Sequence, residues 1–222
     1  MSYEVEVFAN KSYAQEVAQL VAREIPHARS VVLTGGTTAE KVYEPMGDIG
    51  VDWPNSDVLF SDERCVPPQD DASNFGMVAR LLVQLDRARV HRMRGEDEPE
   101  AAARGYSDEI RPLVDAGLEL MLIGMGADGH ICALFPGSPA LEEKDRLCAA
   151  VDRPEGLRGL TLTPPAVLSA RRILLLVTSN GKAATVAKAV HGADDPVTLP
   201  VRLLRDHPDA TFLLDRSAAS QL

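Results

Sequence analysis

His130 and Asp128 stand two residues apart at the end of Leu120-Met121-Leu122-Ile123-Gly124-Met125-Gly126-Ala127-Asp128-Gly129-His130. An imidazole has a reference pKa of about 6.5 and can take a proton at neutral pH. A carboxylate beside it can orient the ring, and a glycine-rich loop can turn backbone N–H groups toward an anion. These residue types suit proton transfer on a small charged substrate. Gly124, Gly126 and Gly129 also spell G-x-G-x-x-G, the dinucleotide fingerprint. That fingerprint must open a long helix, whereas only six residues separate Gly129 from Pro136, so a dinucleotide site is rejected.

Three further segments carry chemistry. Val31-Val32-Leu33-Thr34-Gly35-Gly36-Thr37-Thr38-Ala39-Glu40 reads as a strand, two glycines and a helix start, with Thr37 and Glu40 at capping-box spacing. A helix N-terminus reached through glycines can bind phosphate; the same residues also suit a tight turn with an ordinary cap. In Phe60-Ser61-Asp62-Glu63-Arg64-Cys65-Val66-Pro67-Pro68, two acids and an arginine follow a buried strand, and Arg64 can clamp a phosphate or carboxylate through two bonds. In Thr178-Ser179-Asn180-Gly181-Lys182, Lys182 falls in the first turn of a predicted helix, where a cation opposes the helix dipole. A bound anion accounts for it better than a solvated surface lysine does. The chain has no G-x-S-x-G elbow, no phosphate-binding G-x-x-x-x-G-K-[ST] loop and no metal-ligand spacing; the remaining histidines, His27, His91, His191 and His207, have no motif around them.

The elements that must position these loops alternate along the chain. Strands are predicted at Glu4–Phe8, Ser30–Leu33, Asp57–Phe60, Glu119–Ile123, Ile173–Val177 and Thr211–Leu214. Their Val-, Ile- and Leu-rich runs show little polar alternation, as in strands buried on both faces of a parallel sheet. A helix is predicted after Ser12, which stands at capping-box spacing from Gln15, with Ala14, Val17, Ala18 and Val21 on one face. Further helices are predicted at Thr38–Glu44, Ser73–Gln84, Pro99–Asp115 and Lys182–Val190. The alternation predicts an α/β fold with a mostly parallel sheet flanked by helices, in which ligands collect at the carboxyl ends of the strands. The Gly95–Pro99 turn and the Asp152–Gly159 stretch read as surface loops, so residues 1–222 are expected to form a single domain.

Composition narrows the class of partner. The 222 residues are 45% hydrophobic and 25% charged, with a formal net charge of −10 and no basic cluster, which argues against nucleic acid. Locally gathered cations and backbone donors favour a small anionic substrate. The acidic start Met1-Ser2-Tyr3-Glu4-Val5-Glu6 does not read as a secretory leader, and the longest apolar run is far short of the roughly 20 residues of a membrane helix. Cys65, Cys132 and Cys148 are odd in number and widely spaced. A cytoplasmic protein with reduced thiols and no membrane contact is expected.

Taken in order, the four loops resemble the 6-phosphogluconolactonase family, part of a larger group shared with glucosamine-6-phosphate deaminases. The resemblance runs over essentially the whole chain. It rests on Leu33–Thr37, Ser61–Pro67, Ser73-Asn74-Phe75-Gly76, Gly124–His130 with Leu134-Phe135-Pro136-Gly137, and Gly181-Lys182-Ala183. It implies a Rossmann-like fold of the deaminase/lactonase type and hydrolysis of 6-phospho-D-glucono-1,5-lactone to 6-phosphogluconate in the oxidative pentose phosphate pathway. No metal or organic cofactor is implied, and a monomer or weak homodimer is expected. By the same resemblance His130 is the base that activates water, Asp128 supports it, and Asp62 is a further catalytic candidate. Arg64 and Lys182 bind the phosphate or nearby oxygens with the Gly35-Gly36-Thr37 backbone, and the matched stretches add Thr34, Ser73, Asn74 and Gly126 to the binding set. Lactonases commonly carry Arg-hydrophobic-Thr-Leu-Thr; here Gly159 holds the arginine's place and Arg158, one residue earlier, is the candidate to replace it.

The resemblance also fits chemistry without a covalent nucleophile, because a lactone is an activated ester. The competing reading is an amino-sugar-phosphate deaminase-isomerase, which shares the Asp62, Asp128 and His130 positions. Those enzymes typically carry Asn-Glu-Pro after the histidine, whereas Phe135 precedes Pro136 here. A third reading is a non-catalytic sugar-phosphate-binding protein, against which the retention of both Asp128 and His130 speaks.

Overall fold

The computed structural model describes residues 3–53, 56–193 and 195–222; Met1 and Ser2, part of the stretch read for a leader, lie outside them. Seven strands form one all-parallel sheet: β1 (Glu4–Phe8), β2 (Ser30–Leu33), β3 (Asp57–Phe60), β5 (Arg89–Val90), β6 (Leu120–Gly124), β9 (Arg172–Val177) and β10 (Ala210–Asp215). Their order is β1-β10-β9-β6-β2-β3-β5. From β2 the chain winds outward to β3 and β5, and from β6 it winds the other way to β9 and β10. The reversal therefore falls between the paired β2 and β6, where a crevice opens at the strands' carboxyl ends.

Alternate residues of each central strand feed two cores. Val31, Leu33, Leu120, Leu122, Leu174 and Leu176 face one side, where they pack against α1 (Tyr13–Glu24), α2 (Thr37–Ile49) and α3 (Asn74–Leu81). Val32, Met121, Ile123, Ile173, Leu175 and Val177 face the other, against α4 (Pro99–Ala116). That double burial is why these strands lack polar alternation. The predicted α/β, mostly parallel, helix-flanked fold is what is found, with strand ends displaced by a residue at β6, β9 and β10.

Several local expectations need correction. Asp152–Gly159 is not a free surface loop. It is the turn of a hairpin between β7 (Cys148–Asp152) and β8 (Arg158–Leu162), which joins β4 (Asp62–Arg64) in a separate three-stranded antiparallel sheet, order β4-β8-β7. Charge in β4, alanines in β7 and a glycine in β8 hide these strands from an apolar-run reading. The short helix α5 (Pro164–Leu168) follows β8. The helix α2 was expected to stop at Glu44, before Pro45, but it continues to a left-handed Gly50 whose N–H bonds Met46. Ser12 precedes α1 without a side-chain capping bond.

Candidate active site

The crevice at the sheet reversal is a cleft of about 220 Å³, lined from four strand ends and the hairpin. After β2, Thr34-Gly35-Gly36 turns into α2 with Gly36 at φ +90°, a left-handed conformation that glycine tolerates. Gly36, not Thr37, is the N-cap, so the expected Thr37–Glu40 capping box does not form, and no side chain caps the helix. The opening N–H groups of α2 are thus left for a ligand at the positive end of the dipole. Gly35 is also required by space: a Cβ there would lie 1.8 Å from Asn74 Oδ1.

After β3, the Asp62-Glu63-Arg64 run divides its tasks. Asp62 is buried, accepts from Ser61 Oγ at 2.8 Å and pairs with Arg153 Nη1 at 3.2 Å. Glu63 does not line the cleft and holds the start of α3: its carboxylate accepts from the N–H groups of Arg64, Asn74 and Phe75 and from Ser73 Oγ. Burial pushes its carboxyl up in spite of these four donors. Arg64 donates from Nη1 to Ala72 O and Asn74 Oδ1, both at 2.7 Å, while its buried Nε has no partner. Among the described residues no carboxylate lies within ion-pair distance of this guanidinium.

After β6, the glycine loop folds back on itself. Gly126 N–H donates to His130 O at 2.9 Å, and Met125 and Leu134 each bridge to Ile131. No helix opens there, in keeping with the rejected dinucleotide reading. His130 Nδ1 lies 2.7 Å from Asp128 Oδ1. A carboxylate accepts, so Nδ1 is the donor of this pair, and in the neutral tautomer that fits it Nε2 carries the lone pair. Burial opposes ionisation of Asp128, but the bond and charge of His130 outweigh it and hold the carboxyl below its usual value. A Cβ on Gly126 would fall 2.2 Å from His130 Nδ1 and 2.5 Å from Asp128 Oδ1, so the dyad requires glycine there.

After β9, Ser179 adopts φ +91° and donates its N–H to Asp215, and Lys182 then caps α6 (Ala183–His191). Lys182 is thus the N-cap and not a first-turn residue. It lines the cleft with no ion pair among the described residues. Burial lowers the pKa of its ammonium, opposed by the nearby charges of Asp128 and Asp215.

The cleft therefore brings together Thr34, Gly35, Gly36, Thr37, Asp62, Arg64, Asn74, Gly126, His130 and Lys182, with Asp128 behind His130. Besides Asp128, two expected residues stand outside its lining. Ser73 is the α3 N-cap, accepting from Gly76 N–H. Arg158 reaches outward to Glu100 at 2.7 Å and Asp152 at 3.0 Å. The arginine of the hairpin that does line the cleft is Arg153, hidden from the sequence because Asp152–Gly159 carries no apolar pattern. The short Pro154-Glu155-Gly156 run, closed by Arg153 N–H to Leu157 O, was the signal for a hairpin. Thr38 was missed as well; its hydroxyl meets that of Thr178 and ties α2 to the end of β9. A larger hollow of about 470 Å³ is lined by Phe75, Ala79, Val83 and Val90, and its Arg92 is already paired with Glu96. Among the described residues no cluster of His, Cys, Asp and Glu could hold a metal ion, and no helix is long and apolar enough to cross a membrane.

Residues 8–213 match the model of the family described as glucosamine-6-phosphate isomerases/6-phosphogluconolactonase. The chain is 35% identical to a 6-phosphogluconolactonase of Mycobacterium tuberculosis, covering 86% of this chain and 84% of that one. It is 33% identical to one of Streptomyces coelicolor, covering 98% and 91%. A solved 6-phosphogluconolactonase of Shewanella baltica superposes with a TM-score of 0.83 at 25% identity, over 96% of this chain and 97% of that one. A monomeric glucosamine-6-phosphate deaminase superposes at 0.86 with 24% identity, over 99% and 100%, so the backbone alone does not separate the two activities. Matched along nearly its whole length, the chain belongs to the glucosamine-6-phosphate isomerase/6-phosphogluconolactonase family.

Proposed function

We propose that this protein, acting as a single domain, hydrolyses 6-phospho-D-glucono-1,5-lactone to 6-phosphogluconate, with water activated by His130. The observation that carries the reading is the meeting of a His130–Asp128 pair, an uncapped helix start and two cations without carboxylate partners in one cleft. The phosphate sits against the α2 N-terminus and Lys182, with Arg64 held near by Asn74. His130 Nε2 takes a proton from water as the oxygen adds to C1, and Asp128 stabilises the imidazolium that forms. The tetrahedral oxyanion collapses, the C1–ring-oxygen bond breaks, and the imidazolium returns its proton to that oxygen. The acid product then ionises. Asp62, whose carboxylate is occupied by Ser61 and Arg153, acts as a positioning group.

Phe135 weighs against the deaminase reading. Its ring packs 4.6 Å from the His130 ring and stands where that chemistry expects a carboxylate. The test follows acid release from freshly generated lactone. Wild-type protein is expected to exceed the spontaneous rate, and His130→Ala to lose about 10²–10⁴-fold of that acceleration while still binding 6-phosphogluconate. No acceleration by the wild type, or near-full activity in the variant, overturns the reading; ammonia released from glucosamine 6-phosphate favours the deaminase.

A further inference from the structure

Arg153 is a charged side chain in the cleft that the steps above leave without a task. Only 6% of its side chain is exposed. Its stem crosses Gly159, where a Cβ would lie 2.9 Å from Arg153 Cδ and 3.1 Å from Glu63 O, so β8 must carry glycine at that point for the arginine to pass. Nη1 is fixed by Asp62 at 3.2 Å and Nε by Glu155 at 2.5 Å. Cζ lies 5.5 Å from the centre of the Phe135 ring, the same ring that packs against His130. Nη2 makes no hydrogen bond among the described residues. Two carboxylates and an aromatic face thus hold the guanidinium, leaving Nη2 as its spare donor in the cleft that His130 also lines.

We infer that Arg153 is the specificity residue for the C1 end of the substrate: Nη2 donates to the lactone carbonyl oxygen and, after ring opening, to the product carboxylate. This rests on the lactonase reading. The phosphate is already served by the α2 N–H groups, Lys182 and Arg64. The substrate's other strongly polar atom is the carbonyl oxygen, which gains charge as water adds. A donor fixed before the reaction stabilises that charge without having to reorganise. Charge-assisted bonds of this kind are also the stronger ones, and arginine suits the planar carboxylate left in the product.

The test compares two probes that share a phosphate and differ at C1. The first, 6-phosphogluconate, has a carboxylate there; the second, glucitol 6-phosphate, has a hydroxymethyl group. Titration calorimetry on the intact protein should show tighter binding of 6-phosphogluconate. Arg153→Met should weaken that probe by roughly ten- to a hundredfold, the range of a lost bond to a charged group, and leave glucitol 6-phosphate almost unchanged. Equal weakening of both probes would make Arg153 a phosphate ligand, and weakening of neither would make it structural; either overturns the assignment.

Should Arg153→Met fail to fold around the unpaired Asp62, Arg153→Lys and Gly159→Ala replace it. The first keeps the charge without the fork, and the second pushes the stem aside while keeping the residue. Both are expected to lower the preference for 6-phosphogluconate, and its survival in both overturns the proposal. A wild type that does not hydrolyse the lactone sinks the lactonase reading itself. A wild type that does, with the preference intact in the variants, sinks only the role of Arg153.

Discussion

At the scale of single residues, the proposed reading gives Asp128 and Lys182 separable effects, because it sets them at opposite ends of the substrate. Asp128→Asn keeps the shape of the loop but offers no charge to the imidazolium. The expected outcome is a fall in kcat with the affinity for 6-phosphogluconate nearly unchanged, read by initial rates and calorimetry on one preparation. Lys182 has the reverse signature. Its ammonium is charged below its pKa, and burial lowers that pKa, so the charge is lost on the alkaline side earlier than for an ordinary lysine. Affinity for 6-phosphogluconate should therefore decline as pH rises toward and through that lowered value. Lys182→Gln should bind more weakly at neutral pH and show no such alkaline limb. A limb that persists in the variant would assign it to another group.

The elements set tolerances that residue identity does not reveal. Gly126→Ala removes neither partner of the dyad, yet its methyl group would occupy the space of His130 Nδ1 and Asp128 Oδ1. Activity should fall nearly as far as in His130→Ala, with the fold intact by circular dichroism. Glu63→Gln probes the other loop. Its carboxylate takes two donors on each oxygen, and an amide turns one of those oxygens into a donor facing Phe75 N–H. Leaving that part-buried group unpaired costs up to about 1–3 kcal/mol, or roughly 2–4 °C of Tm per kcal/mol at this chain length. The substitution should also weaken ligand binding, since α3 begins with the Asn74 that holds Arg64. A large loss of Tm with unchanged affinity would show that α3 and the cleft are uncoupled.

At the scale of the molecule, what could be read in advance follows from where each signal lies. The central strands were legible because burial on both faces leaves unbroken apolar runs, as in Val31-Val32-Leu33 and Leu174-Leu175-Leu176. The loops at their ends were legible because glycines, Asp128, His130 and Lys182 are conspicuous there. The second sheet was hidden, because β4 is Asp-Glu-Arg and its pairing with β8 bridges almost a hundred residues of chain. Arg153 was hidden for the same reason: only the β7–β8 pairing carries it into the cleft, and its neighbour Arg158, nearer the expected motif, turns outward. The cleft itself joins the two halves of the sheet, with β2 and β3 contributing from one side and β6 and β9 from the other. A ligand that binds only the folded form stabilises it by about 2.7 kcal/mol at a hundred times its Kd. For a chain of 222 residues that is roughly 5–11 °C of Tm. Saturating 6-phosphogluconate should produce such a shift in the wild type and, at the same concentration, a smaller one in Lys182→Gln. An equal shift in both would mean that the anion binds elsewhere.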